Sequence, residues 1–137
     1  MAYPSLVREL CQRARNAFPD LELTMHFHNT RGMALANTMA ALDAGIERFD
    51  SSLGGLGGCP YAPAATGNVC SEDLVHILEL DGYVTRVNLK PTLEVSARLS
   101  SLIGHEVPSQ LFKAGRRLDL HPMPPSDVVP KQSAFAI

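Results

Sequence analysis

Three observations predict an α/β fold that is the C-terminal portion of a (β/α)8 TIM barrel, about its last two strands with their helices plus further C-terminal helices. Segments of strand period and helix period alternate along the first 80 residues, and that order implies right-handed βαβ units and a parallel sheet. Only two strand patterns are present, too few for a sheet covered on both faces. A whole barrel takes about 250 residues at roughly 30 per βα unit, and this chain has 137.

The elements follow in order. From Pro4, the apolar residues Leu6, Val7, Leu10, Cys11, Ala14, Ala17 and Phe18 recur at helical spacing, with Pro19-Asp20 as the stop. Cys11 lies on that stripe and reads as a small buried hydrophobe. Leu21, Leu23, Met25 and Phe27 then alternate with Glu22, Thr24, His26 and His28, the period of a strand with two distinct faces, so both histidines point the same way. Gly32 to Ala44, rich in Ala, Leu and Met, predicts a helix with Gly45 as its cap. Ile46 to Leu53 predicts a second strand, and Gly54-Gly55-Leu56-Gly57-Gly58 follows it directly.

Ser71 with Glu72 and Asp73 marks an N-cap and acidic first turn for a helix through Leu80. Pro91 opens another helix, Thr92 to Ile103, ended by Gly104. Residues 1–117 form the barrel portion. Residues 118–137 carry four of the ten prolines and no helical period, and are expected to be a mobile tail.

Composition narrows the function classes. A formal charge of -2 gives no basic field for nucleic acid. The low-charge stretch Gly32 to Ile46 is broken by Asn37, Thr38 and Asp43 and falls short of the roughly 20 apolar residues of a membrane span. The start, MAYPSLVREL, lacks the basic and apolar regions of a signal peptide. The expectation is a cytoplasmic protein, or a mitochondrial-matrix one if a targeting segment lies upstream. Cys11, Cys59 and Cys70 are odd in number and lack CxxC spacing, which argues against a disulfide framework or a structural zinc site.

The chemistry-bearing residues gather at the C-terminal ends of the two strands, where barrel enzymes keep their catalytic groups. His26 and His28, at i and i+2 on one strand face, have the spacing to share a divalent metal. Two half-buried structural histidines would show the same spacing. Asn29 suits an outer-shell or capping role. Glycines in the run after the second strand let the backbone approach a ligand or close over it, although plain flexible connections look alike. Cys59, between Gly58 and Pro60, has little core to fill; nucleophile, acid/base and bystander all remain open for it. Asn68 offers a neutral amide oxygen suited to magnesium or manganese, while Gly67-Asn68 is also a common turn. Cys70 and His76 read as structural.

HFHNTRG, ANTMAALDAG, FDSSLGGLGGCPYAPAATGN and SEDLVHILE, in this order and spacing, closely resemble the 3-hydroxy-3-methylglutaryl-CoA lyases, metal-dependent TIM-barrel lyases, from about Pro4 to Lys113. GGLGGCPYA discriminates them from related synthases, which usually carry a Glu- and Arg-containing sequence there. The resemblance implies cleavage of hydroxymethylglutaryl-CoA to acetyl-CoA and acetoacetate, the last step of leucine breakdown. It implies a divalent cation, Mg2+ or Mn2+, held by His26, His28 and Asn68, and a catalytic role for Cys59 and His26. It also implies a substrate loop containing Gly55, Gly57 and Gly58.

Two departures stand out. Asn29 replaces the aspartate of the HDT that many members carry, outside the ligand pair. The Arg-Asp pair of the family's first strand has no counterpart, since Arg48-Phe49-Asp50 aligns with the eighth strand. The expected partner is therefore an acyl-CoA substrate, together with the absent barrel strands or an oligomer, and the chain alone is expected to be inactive. Two alternatives stand beside this one: a non-catalytic fragment that oligomerises through its sheet edges, or a lyase for another 3-hydroxy-acyl-CoA.

Overall fold

Pro4 fits the first turn of a helix because its missing N–H has no intrahelical acceptor there. It begins α1 (Pro4–Ala17), which buries Val7 and Cys11 on one stripe. This is a computed structural model, and it describes residues 2–58 and 66–119. Helix α1 packs on α2 (Ala34–Asp43), whose buried Ala34, Ala40 and Ala41 leave room for close approach. A 3₁₀ turn, Thr30–Gly32, precedes α2, so the helix starts two residues later than the composition suggested. There the Asn29 side-chain oxygen accepts the Ala34 N–H at 3.2 Å, the capping role expected of it.

The sheet has two parallel strands, β1 (Thr24–His26) and β2 (Arg48–Asp50), in the register Thr24↔Arg48, Met25↔Phe49, His26↔Asp50. Both are shorter than the alternation implied, for a specific reason. Past His26 and Asp50 the strands stop pairing with each other, and the returning segment 67–70 enters between them. Val69 N–H donates to the Phe27 carbonyl at 2.9 Å, Asn29 N–H to Gly67 at 2.9 Å, and Ser52 N–H to Val69 at 3.2 Å. Isolated bridges, His28↔Asn68 antiparallel and Ser52↔Cys70 parallel, record the insertion. The backbone groups of the expected strand residues are thus satisfied by a third segment.

The two-faced reading of β1 holds. Met25 and Phe27 join Val7, Cys11, Ile46, Val69, Leu74 and the α2 alanines in the main core, whereas His26 is exposed on the other face. After β2, a second 3₁₀ turn, Leu53–Gly55, reverses the chain.

Helix α3 (Ser71–Leu80) begins where expected, but Cys70 occupies the cap position and Ser71 Oγ pairs with Ser51 Oγ at 2.8 Å. Glu72 and Asp73 form the expected acidic first turn, and both are buried. Helix α4 (Leu89–Ile103) starts three residues before Thr92, because the Asn88 side chain accepts the Lys90 N–H at 3.1 Å and caps it there. A short α5 (Gln110–Ala114), not foreseen in the sequence, is capped by Ser109 Oγ, which accepts the Phe112 N–H and donates to Asp73. Val75, Leu89 and Leu111 form a second small cluster beneath these helices. Among the described residues no helix is long and apolar enough to cross a membrane. Of the expected tail, residues 120–137 lie outside the described residues.

Candidate metal centre

The register that pairs His26 with Asp50 also decides what His26 does. Its Nδ1 lies 2.6 Å from Asp50 Oδ1, and since a carboxylate only accepts, Nδ1 carries a proton, which in the neutral ring leaves the lone pair on Nε2. His28 Nδ1 lies 3.0 Å from the Thr66 carbonyl, which fixes the same tautomer. The two rings are 5.1 Å apart at 68°. Both imidazoles are therefore oriented through Nδ1 by an oxygen, the arrangement that metal-bound histidines use. The sequence did not reveal Asp50 or the Thr66 carbonyl as partners: the first needs the strand register and the second a 38-residue return of the chain.

Asn68 stands opposite His28 across the antiparallel bridge. Its Nδ2 donates to the Leu56 carbonyl at 2.8 Å, which fixes the amide, and its Oδ1 is buried with no hydrogen-bond partner among the described residues. A buried acceptor in that condition costs about 1–3 kcal/mol unless something engages it. Asn37 Oδ1, on α2, shares the condition and lines a hollow of about 420 Å3 with His26, His28, Thr30 and Arg31. Among the described residues no three His, Cys, Asp or Glu side chains are grouped to hold a metal, so the candidate donors are two imidazoles and one amide oxygen. Mixed nitrogen and oxygen donors of this kind fit a divalent cation.

The glycine run is divided. Gly55 is buried, and a Cβ there would meet Cys70 Sγ at 2.6 Å. Gly57 and Gly58 are exposed, and a Cβ on Gly57 would meet Asn68 Nδ2 at 2.7 Å, so glycine is what lets the Asn68 amide lie against this turn. Cys59, with Pro60 to Ala65, lies outside the described residues. Cys70 is the inert cysteine that the sequence suggested: burial, aided by Asp73 and Glu72, pushes its thiol up to about 12.

The chain matches the HMGL-like family over residues 1–99. It belongs to that family. The HMGL-like chain is 50% identical over 96 residues to the hydroxymethylglutaryl-CoA lyase of Pseudomonas mevalonii, covering 70% of this chain and 31% of the relative. It is 44% identical over 115 residues to the (R)-citramalyl-CoA lyase of Chloroflexus aurantiacus, covering 84% of this chain and 36% of that one. Its fold superposes with a TM-score of 0.85 on an HMG-CoA lyase from Acinetobacter baumannii solved with coenzyme A and 3-methylmalate, at 49% identity, covering 90% of this chain and 41% of that chain. The HMG-CoA lyase of Bacillus subtilis gives a TM-score of 0.77 at 41% identity, covering 82% and 38%. This HMGL-like chain thus spans between about a third and two-fifths of the length of these relatives.

Proposed function

We propose that this chain supplies the C-terminal strands and part of the active site of a divalent-metal-dependent TIM-barrel lyase that cleaves 3-hydroxy-3-methylglutaryl-CoA to acetyl-CoA and acetoacetate, and that it is inactive without the rest of the barrel. One observation carries the reading. The Asn68 amide is locked by Leu56, and its buried oxygen, without a hydrogen-bond partner among the described residues, belongs to the residue bridged to His28, one of two histidines whose Nδ1 atoms are already engaged. Structural histidines alone would not account for that oxygen. His26, His28 and Asn68 would hold Mg2+ or Mn2+, and the bound cation would supply positive charge where the reaction develops an oxyanion.

The reaction asks for two proton transfers. The tertiary hydroxyl gives up its proton, the adjacent carbon–carbon bond breaks to leave the ketone of acetoacetate, and the electron pair passes to the acetyl-CoA enolate, which then takes a proton at carbon. His26 is suited to the first transfer, because Asp50 on Nδ1 stabilises the ring once Nε2 has accepted a proton. A lone pair serves one role at a time, so an Nε2 given to the cation leaves proton traffic to Cys59, which the family resemblance places on the loop beyond Gly58. Gly57 and Gly58 would let that loop lie against the substrate.

The 44% identity to a citramalyl-CoA lyase favours a second reading within the same chemistry, in which the substrate is another 3-hydroxy-acyl-CoA. The test of the centre itself is titration of the full chain with Mn2+, read by calorimetry. Chelator-reversible uptake is expected, with His28→Ala weakening it by roughly tenfold or more. Equal affinity in the variant would remove His28 from the ligand set, and no uptake by the parent chain would sink the metal reading.

A further inference from the structure

Glu72 is 0% exposed, it lies outside the proposed donor set, and its carboxylate is committed on both sides. The Gly54 N–H donates to both carboxylate oxygens at 3.0 Å, and Ser96 Oγ on α4 donates to one of them. A carboxylate without solvent is retained in a protein only where such donors compensate it, so this cluster is an anchor. The segment that it anchors is the 3₁₀ turn Leu53–Gly55. Gly54 sits there at φ 61, and a Cβ on it would meet Val107 Cγ1 at 2.7 Å, so glycine is what lets the turn pack here with its N–H toward Glu72.

From that turn the chain leads straight to the proposed ligand. Leu56 follows it, and the Leu56 carbonyl accepts both Ser52 Oγ at 2.5 Å and Asn68 Nδ2 at 2.8 Å. An amide held at its nitrogen has its oxygen pointed by the same bond. We infer that Glu72, with Ser96, is a positioning residue: by clamping Gly54 it fixes the Leu56 carbonyl, and through it the direction of Asn68 Oδ1. The cation end of this inference rests on the metal reading above, while its clamp end stands on this chain alone. It also gives α4, which contributes no donor to the centre, a part in building it.

Asp73 provides the control. It is equally a buried carboxylate on α3, but its bonds to Ser109 Oγ, Gln110 N and Leu111 N hold α5 and leave Leu56 untouched. The experiment uses the full chain and four variants, Glu72→Ala, Glu72→Gln, Ser96→Ala and Asp73→Asn. Amide exchange at Gly54 and the Asn68 side-chain NH2 signals are read by NMR, and Mn2+ affinity by titration. Glu72→Ala and Ser96→Ala should speed Gly54 exchange, shift the Asn68 NH2 signals and weaken Mn2+ on the order of tenfold. Glu72→Gln should restore all three, because its amide can accept from Gly54 and pair with Ser96. Asp73→Asn should lower the melting temperature and move none of them. Ser96→Ala keeps the test alive if Glu72→Ala does not fold. Unmoved Gly54 and Asn68 signals in Ser96→Ala, or the same changes in Asp73→Asn, would overturn the clamp. Signals that respond as expected with no Mn2+ uptake in any form would support the clamp and overturn the metal reading.

Discussion

Cys11 and Cys70 are both buried, each in surroundings of its own. Cys11 faces the α1–α2 core, and burial raises its thiol above the ordinary range. Cys70 is held up at about 12 by burial beside Asp73 and Glu72, with Gly55 pressed against its sulfur. A thiolate is the reactive form, so at pH 8 neither thiol should react while the chain is folded. Iodoacetamide labelling followed by peptide mass spectrometry should leave both unmodified, then label both after denaturation; labelling of Cys70 in the folded chain would contradict its placement. The sign of the pH effect follows from the same shift. Folding favours the protonated thiol, so this contribution to stability is complete below the ordinary thiol value near 9 and is lost as pH rises toward about 12. The tautomers of His26 and His28 belong to this scale too, and a sequence cannot show them. Their two-residue spacing was legible, but the oxygens that settle each ring come from Asp50 and from Thr66, 24 and 38 residues away.

At the scale of elements, starts of helices were legible where the capping chemistry was local and unopposed. Pro4 and the region of Ser71 set α1 and α3 correctly, but for α4 two signals compete within four residues. Asn88 wins, because its side chain satisfies the Lys90 N–H, while Pro91 merely tolerates the first turn. Asn88→Ala should therefore destabilise the chain by about 1 kcal/mol. Pro91→Ala should cost less, and thermal melts of the two variants would reveal the opposite order if the proline sets the start. Helix α5 escaped the sequence reading because five residues carry no period, and its main support, Asp73, comes from α3. The strands were legible in their faces and not in their lengths. Alternation in Leu21–His28 fixes which side chains share a side, whereas the point at which pairing ends is set by Val69 and Asn68 arriving from beyond the glycine run. The burial of Glu72 and Asp73 was not legible for a related reason: two acids in a first turn satisfy the helix dipole rule whether they face water or, as here, a second layer of helices.

For the whole molecule the decisive fact is that the described residues hold two paired parallel strands, fewer than a parallel sheet ordinarily has. Parallel sheets are stable when helices cover both faces, and here helices cover only one, leaving His26, Arg48 and Asp50 exposed on the other. A hollow of about 500 Å3 is lined by Phe49, Leu74, Leu78, Tyr83, Val84 and Val87 together with Glu47, Ser51 and Thr85, and Val84 is 85% exposed. The chain covers 39% of the Bacillus subtilis lyase, and on the function proposed above its partner is the rest of such a barrel. Mixing the full chain with the part of that relative outside the match should give a one-to-one complex by analytical ultracentrifugation. The complex should release acetoacetate from hydroxymethylglutaryl-CoA in the presence of Mg2+ or Mn2+, while the chain alone releases none. With Cys59→Ser in the complex, turnover should fall by about two orders of magnitude or more while Mn2+ affinity stays near that of the parent complex. Unchanged turnover would remove Cys59 from the chemistry. A complex that forms and binds Mn2+ yet turns over only citramalyl-CoA would move the assignment to that substrate, and a chain that self-associates and never joins the partner would favour the non-catalytic fragment.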